Sequence, residues 1–247
     1  MNASVLIVTT GRSGYSYLAN VLRKNCPEFY VLGQIFRKGS DNKGLIAQLL
    51  SCPESEVEPL LAEEPLAVWN RLCSAVSPRI LVARIGITDI ADPAFWSSLS
   101  PSTKIVHLIR GNVFETFLSH EVTKRAGIWH TKSSEQAVKI QKIRYPVSRS
   151  EAVTFIENRK RQIEATRATL ADQPCYSEIY FEDISRHEGI AAVSIEALCQ
   201  VVKPAPFRNF IPAGTLPLRS NSNVDQVLNY FDVADLDTVT YGRLIHA

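Results

Sequence analysis

The sequence predicts an α/β fold, a parallel sheet with helices on both faces. Three observations predict it. Short continuous apolar runs recur along the chain, as expected of strands buried on both faces. Each run is followed by residues with helical periodicity. Strand and helix alternate in order, which requires right-handed crossovers between parallel strands.

Residues 5–8 (VLIV) form the first such run, and residues 16–24 read as the helix after it, with Tyr17, Leu18, Val21 and Leu22 on one stripe. Residues 79–84 (RILVAR) and 104–109 (KIVHLI) are the next strands. A helix over 112–124 follows, with Val113, Phe114, Phe117 and Leu118 in line. Ser148 and Glu151 have capping-box spacing and open a long helix to Ala171, on which Val153, Ile156, Ile163 and Leu170 recur at helical intervals. Residues 176–181 (YSEIYF) form a fourth strand, followed by the acidic turn Glu182-Asp183. Residues 203–223 read as a long loop and Val224 as the start of a last helical stretch. Residues 39–77 look helical and carry no nameable chemistry. The whole, 1–247, reads as one domain.

The chain has 247 residues, 45% hydrophobic and 21% charged, with a net charge of +2. That balance excludes a general polyanion binder, so an anion site must be built locally. Nucleic acid is not an expected partner. The 5 cysteines are widely spaced and include no C-x-x-C pair, which points to neither a zinc site nor a disulfide framework. The pairs His120-Glu121 and His187-Glu188 lack the second histidine of a zinc-protease motif. No metal is expected. The apolar run near the start has no basic flank, and no run approaches the ~20 residues of a bilayer span. A cytoplasmic protein without an integral membrane segment is the expectation.

Between the first strand and helix stand Gly11-Arg12-Ser13-Gly14-Tyr15-Ser16. Ligands of parallel sheets bind beyond the carboxyl ends of the strands. The free N–H groups and dipole of the following helix favour an anion there. Gly11 and Gly14 permit close backbone approach, and Arg12 adds a permanent charge with a fork suited to tetrahedral oxyanions. The loop lacks the Gly-Lys-[ST] of nucleotide triphosphatases, which counts against ATP. A second segment, KIVHLIRGNVFETFLSHE, repeats the design with Arg110 after a strand and Ser119 on the next helix.

Together the two segments resemble the sulfotransferases that use 3′-phosphoadenosine 5′-phosphosulfate (PAPS). In that family [RK]-S-G-[TS]-[TS]-[WYFL] holds the 5′-phosphosulfate, and an arginine and serine after a central strand hold the 3′-phosphate. Here the first element reads Arg12-Ser13-Gly14-Tyr15-Ser16-Tyr17, with Tyr15 where a small hydroxyl is usual, and the second runs from Arg110 to Ser119. The segments IENRKRQIEATRATLADQPCYSEIYFEDI and LRSNSNVDQVLNYFDVADLDTVTYGRLI are similar to those of bacterial carbohydrate sulfotransferases. The resemblance implies the phosphate-loop-like sulfotransferase fold, with PAPS as co-substrate and a sugar or glycolipid hydroxyl as acceptor.

Sulfuryl transfer needs cationic stabilisation of the leaving phosphate. Arg12 is the candidate, assisted by the N–H groups of residues 13–16 and the Ser16 hydroxyl. Arg219 is a candidate third cation over the nucleotide. The acceptor hydroxyl also needs a base. Similar bacterial enzymes often carry Gly-Glu-[IP] after the first helix, with the glutamate as base, whereas this chain reads Gly33-Gln34-Ile35. Gln34 can orient an acceptor hydroxyl but cannot take its proton, and a Gln34→Glu variant that gained rate would put the base at that position. Glu28, His130 and His120 remain as candidates; His107, inside a strand, reads as a core histidine. The acceptor pocket is expected in residues 34–77 and 125–147. Two other readings stay open: a small-molecule kinase of the phosphate-loop class, and a non-catalytic nucleotide- or glycan-binding member of the same fold.

Overall fold

Ser4–Thr9 (β1) is buried along its whole length. A computed structural model describes residues 3–39, 42–90, 92–128, 134–185 and 223–238. After β1 come helix α1 (Tyr15–Asn25), strand β2 (Phe29–Gln34), helices α2 (Lys43–Leu50), α3 (Glu54–Glu63) and α4 (Pro65–Ala75), and strand β3 (Ile80–Ile85). A 3-10 turn (Ile87–Asp89), α5 (Pro93–Ser97) and β4 (Thr103–Ile109) follow. Then come α6 (Val113–Ala126), α7 (Ser134–Gln141), α8 (Arg149–Leu170), β5 (Tyr176–Tyr180) and α9 (Phe181–Ser185). The chain divides into two units, Met1–Ile109 with Thr166–Ala213, and Arg110–Ala165 with Gly214–Ala247.

In the first unit the strands lie in the order β2-β3-β1-β4-β5, and every neighbouring pair is parallel. Strand alternation sorts the apolar side chains to the two faces. Leu6 and Val8 pack with α2, α4 and α5 through Ile46, Trp69 and Phe95. Val5 and Ile7 pack on the opposite face with Leu18 and Leu22 of α1. The fold class is therefore the predicted one, a parallel sheet covered by helices on both sides. All strands point the same way, so their carboxyl ends share one edge.

The second unit has its own core. Phe114, Phe117 and Leu118 of α6 pack with Ile156 of α8, and with Val227, Val233 and Leu236 from the C-terminal turns. Tyr145 pairs with Val227 across a single parallel bridge. The Asn229 side chain accepts from the Val147 N–H at 2.7 Å and donates to its carbonyl at 3.0 Å.

Four sequence expectations change. Residues 29–34 form a strand absent from the sequence reading, and Gln34 ends that strand rather than lying in a loop. Residues 39–77 are helical as expected, forming α2, α3 and α4, which cover one sheet face. The acidic turn after β5 is the short helix α9. The stretch from Val224 begins with short 3-10 turns instead of an α-helix, up to residue 238. On α8, Ile156, Ile163 and Leu170 are buried as their periodicity implies, but Val153 is 39% exposed.

A buried polar network joins β4, β5 and the end of α8. Arg167 donates from Nε to Glu178 Oε1 at 2.7 Å and from Nη2 to Oε2 at 2.9 Å. Tyr176 donates its hydroxyl to Glu178 at 2.8 Å, so the His107 Nδ1 3.1 Å from that hydroxyl is the protonated ring nitrogen. Burial pushes the His107 imidazole down to about 4, against the opposing pull of Glu178. At neutral pH the His107–Glu178 contact is thus not an ion pair. Burial alone raises the Glu178 carboxyl, but the hydrogen bonds from Arg167 and Tyr176 outweigh it and hold the group below its usual range.

These shifts set the acid side of the stability curve. Below about 6.5 the unfolded chain protonates its histidine, while native His107 stays neutral down to about 4. Folding stability falls as pH drops through that window, by up to about 3 kcal/mol from this residue. The depressed Glu178 carboxyl extends the loss at lower pH, with the same sign. Urea unfolding across the window measures this slope; His107→Gln flattens it, and an unchanged slope in that variant refutes the assignment.

Candidate functional site

The chain leaves β1 through a turn that needs left-handed backbone. Gly11 has φ 79°, Arg12 φ 54° and Gly14 φ 89°. Glycine takes this region without penalty, but Arg12 holds it at a cost of about 1 kcal/mol. Gly14 is required a second time. A Cβ there would stand 2.0 Å from Cδ2 of Phe181, the first residue of α9. Phe181 also meets Tyr17 edge-on, with ring centroids 6.4 Å apart.

Helix α1 starts at Tyr15 with no side-chain cap. Tyr17 and Leu18 donate their N–H groups to the Gly14 carbonyl. The amides before them at the helix start carry the positive end of the helix dipole. Ser13, 2% exposed, has its hydroxyl buried with no hydrogen-bond partner among the described residues. A buried unsatisfied hydroxyl costs about 1–3 kcal/mol, and a bound oxyanion would relieve it. Nested amides, a guanidinium and an orphaned hydroxyl make this turn a candidate oxyanion cradle.

The two tyrosines and Ser16 divide in role. Tyr15 is buried and donates its hydroxyl to the Leu32 carbonyl at 2.6 Å, so its phenol is committed inside the unit. Burial pushes that phenol above its ordinary range. What Tyr15 offers the cradle is its backbone N–H. Ser16 is exposed at the first turn of α1, and Tyr17 is half-buried beside Phe181.

The neighbouring strands add groups that the sequence reading missed. Arg84, near the end of β3, donates from Nε to Thr9 Oγ1 at 2.8 Å and lies over the Tyr15 ring, 5.7 Å from its centroid. Burial lowers the Arg84 guanidinium, Tyr15 and Asp89 oppose this, and Arg37 adds to it. Asp89 closes the turn after β3. Its Oδ2 accepts from the Gly86 N–H at 2.7 Å and from Gln34 Nε2 at 2.9 Å. Gln34 pairs in register with Arg84 across the two strands. The available sequence signal for Arg84 is the one that marked Arg110, a charged residue closing an apolar run.

In the second unit, Asn112 caps α6 by accepting the Glu115 N–H at 2.9 Å. Arg110 Nη2 lies 3.4 Å from Glu115 Oε2. Glu115 and Ser119 are one turn apart on α6 and share a face, so Arg110 lies toward the face that carries Ser119. Asp237 accepts from Asn112 at 3.0 Å and from the Tyr230 hydroxyl at 2.9 Å. The start of α6 is therefore acidic as well as basic. His120 packs its ring 5.7 Å from Phe155.

Glu28, expected as a base, is not brought to this edge. It precedes β2, and its carbonyl accepts from the N–H of Ile80, the first residue of β3, at 2.8 Å. The length of β2, about 20 Å at strand rise, separates it from the edge where the Gly11–Gly14 turn opens. His130 and Arg219 lie outside the described residues. Among the described residues no group of three His, Cys, Asp or Glu side chains is placed to hold a metal ion. No helix among them is long and apolar enough to cross a membrane.

No family model and no curated protein matches the chain. Solved structures do. The sulfotransferase domain from the curacin biosynthetic pathway aligns over 90% of this chain and 80% of its own, with 15% identity and a TM-score of 0.48. A sulfotransferase from Alicyclobacillus acidocaldarius aligns over 96% of this chain and 95% of its own, with 15% identity and a TM-score of 0.47.

Ser13→Ala separates ligand from scaffold. Removing an unsatisfied buried hydroxyl leaves the melting temperature of the ligand-free chain unchanged or higher, while affinity for inorganic sulfate or pyrophosphate falls about 10-fold, the loss of one hydrogen bond to a charged partner. A lowered melting temperature with unchanged anion affinity would give Ser13 a purely structural role.

Proposed function

We propose that the protein transfers a sulfuryl group from PAPS to a hydroxyl on a carbohydrate or glycolipid acceptor. The observation that carries the reading is the left-handed 11–14 turn with its buried, unpartnered Ser13 hydroxyl at the start of α1. It supports the reading because a tetrahedral oxyanion satisfies the deficits of that turn. The sequence likeness of residues 12–17 to the 5′-phosphosulfate element of PAPS-dependent sulfotransferases supplies the identity of that anion.

In this reading Arg12, Ser13 and the amides of Gly14, Tyr15 and Ser16 hold the 5′-phosphosulfate. Charge that builds on the leaving phosphate oxygen meets a fixed cation and fixed dipoles, which need no reorganisation during the reaction. Arg110 and Ser119 hold the 3′-phosphate, and Arg219 is a further contact to the nucleotide. Gln34 orients the acceptor side. A phosphate-loop kinase is the weaker reading, because no Gly-Lys-[ST] follows β1 to hold a β/γ-phosphate pair and its magnesium.

Thermal-shift and calorimetric titration test the reading. Adenosine 3′,5′-bisphosphate stabilises the chain and ATP with magnesium does not; the reverse result supports the kinase. Arg12→Ala and Arg110→Ala each weaken the bisphosphate about 10- to 100-fold, as expected for loss of a charge-assisted contact. Glu115 stands 3.4 Å from Arg110 and opposes an incoming phosphate. Glu115→Gln therefore tightens the bisphosphate, with a steeper salt dependence. Parental affinity in both arginine variants overturns the nucleotide assignment.

A further inference from the structure

We propose that Asp89 is the general base for the acceptor hydroxyl, positioned by Gln34; this rests on the sulfuryl-transfer reading above. A chain with glutamine at position 34 needs its base from elsewhere, and the structure puts a carboxylate in contact with that glutamine. Asp89 Oδ2 takes the Gln34 Nε2–H at 2.9 Å and the Gly86 N–H at 2.7 Å. Both fixing bonds go to one oxygen. No hydrogen bond to Oδ1 is made among the described residues. The carboxylate is thus anchored through Oδ2, and Oδ1 is the oxygen left to accept a proton.

Its place in the sheet fits the task. Asp89 ends the 3-10 turn after β3, and β3 is the direct neighbour of β1. Adjacent strands lie about 4.8 Å apart, so the turn after β3 and the 11–14 turn after β1 are one strand apart on the same edge. Other acids of this unit are worse placed. Glu28 is at the opposite edge, and Glu182 and Asp183 follow β5, two strands from β1 on the far side. His107 is fully buried inside β4 and belongs to the Glu178 network.

Asp89 acts on the Arg84 guanidinium of β3, as do Tyr15 on α1 and Arg37 after β2. Arg84 is anchored through Nε to Thr9 Oγ1 at 2.8 Å, one turn of chain ahead of Arg12. The acidic side chain therefore sits on the acceptor side of a cationic rim.

The step balances. Asp89 Oδ1 takes the proton as the acceptor O–H bond breaks, and that oxygen bonds to sulfur. The bond between sulfur and the bridging oxygen of the 5′-phosphate breaks, and its electron pair stays on the phosphate. The products are the sulfate ester, adenosine 3′,5′-bisphosphate and a protonated Asp89, which returns its proton to water. Gln34 makes no bond in this step; it is a positioning residue.

The test follows release of adenosine 3′,5′-bisphosphate from PAPS, with a panel of methyl glycosides as acceptors and with water alone. Asp89→Asn lowers kcat about 100-fold or more, the usual contribution of a general base. It leaves bisphosphate affinity and melting temperature at parental values, because Asn still offers an oxygen to the Gly86 N–H. The double variant Asp89→Asn, Gln34→Glu returns a carboxylate one strand over, at the end of β2, and recovers at least about 10-fold of the rate. A structural role for Asp89 predicts no such recovery. Parental turnover in Asp89→Asn, a loss of bisphosphate binding that parallels the loss of rate, or a double variant no faster than the single one overturns the proposal. A parent that releases no bisphosphate from PAPS while Arg12→Ala still weakens nucleotide binding overturns the transfer reading itself, and this proposal with it.

Discussion

The first unit depends on one constraint: a parallel sheet buried on both faces can expose its polar chain ends only at its edges. Leu6 and Val8 face one core while Val5 and Ile7 face the other, so β1 has no solvent side of its own. Chain reversal into α1 must then happen at the carboxyl edge, within a few residues. The reversal forces three left-handed residues and buries the Ser13 hydroxyl without a partner. The left-handed Arg12 and the unpartnered Ser13 hydroxyl each cost about 1–3 kcal/mol in the empty protein. Among the described residues no group satisfies that hydroxyl, and a tetrahedral anion in the turn would. The site is a local deficit that the fold itself creates.

The central position of β1 decides what surrounds that deficit. On one side β3 delivers Arg84 and Asp89, and beyond it β2 delivers Gln34. On the other side β4 and β5 are tied by Glu178, Arg167 and His107. That network is buried, and a buried ion pair of this kind is weak evidence of net stability. Its value is specificity. With both oxygens of Glu178 occupied by Arg167, β5 has one register beside β4, and Phe181 then falls over Gly14.

How far the sequence foretold this depends on the range of the interactions. The buried strands, α1 and the 11–14 turn were legible because runs, periodicity and glycine spacing are local signals. Strand β2 was not: FYVLGQ is an edge strand only partly buried, cut by Gly33 and preceded by Pro27, so its apolar run is too short to stand out. The stretch after Val224 failed for a different reason. Asp225, Asp232, Asp235 and Asp237 compete with helix hydrogen bonding and favour tight turns. The groups around Asp89 were invisible for the plainest reason. Gln34 and Asp89 are 55 residues apart in sequence, and only the register of β2 on β3 makes them neighbours.

That register also explains why an amide suits position 34. Two carboxylates at the 2.9 Å separation of Gln34 and Asp89 could not both stay ionised, and would share a proton. An amide supplies a donor without a competing charge, so it fixes the carboxylate and leaves its basicity to the second oxygen. On the proposal that Asp89 is the base, glutamine at the end of β2 does not exclude proton transfer, because a carboxylate one strand away at the same edge meets the same requirement.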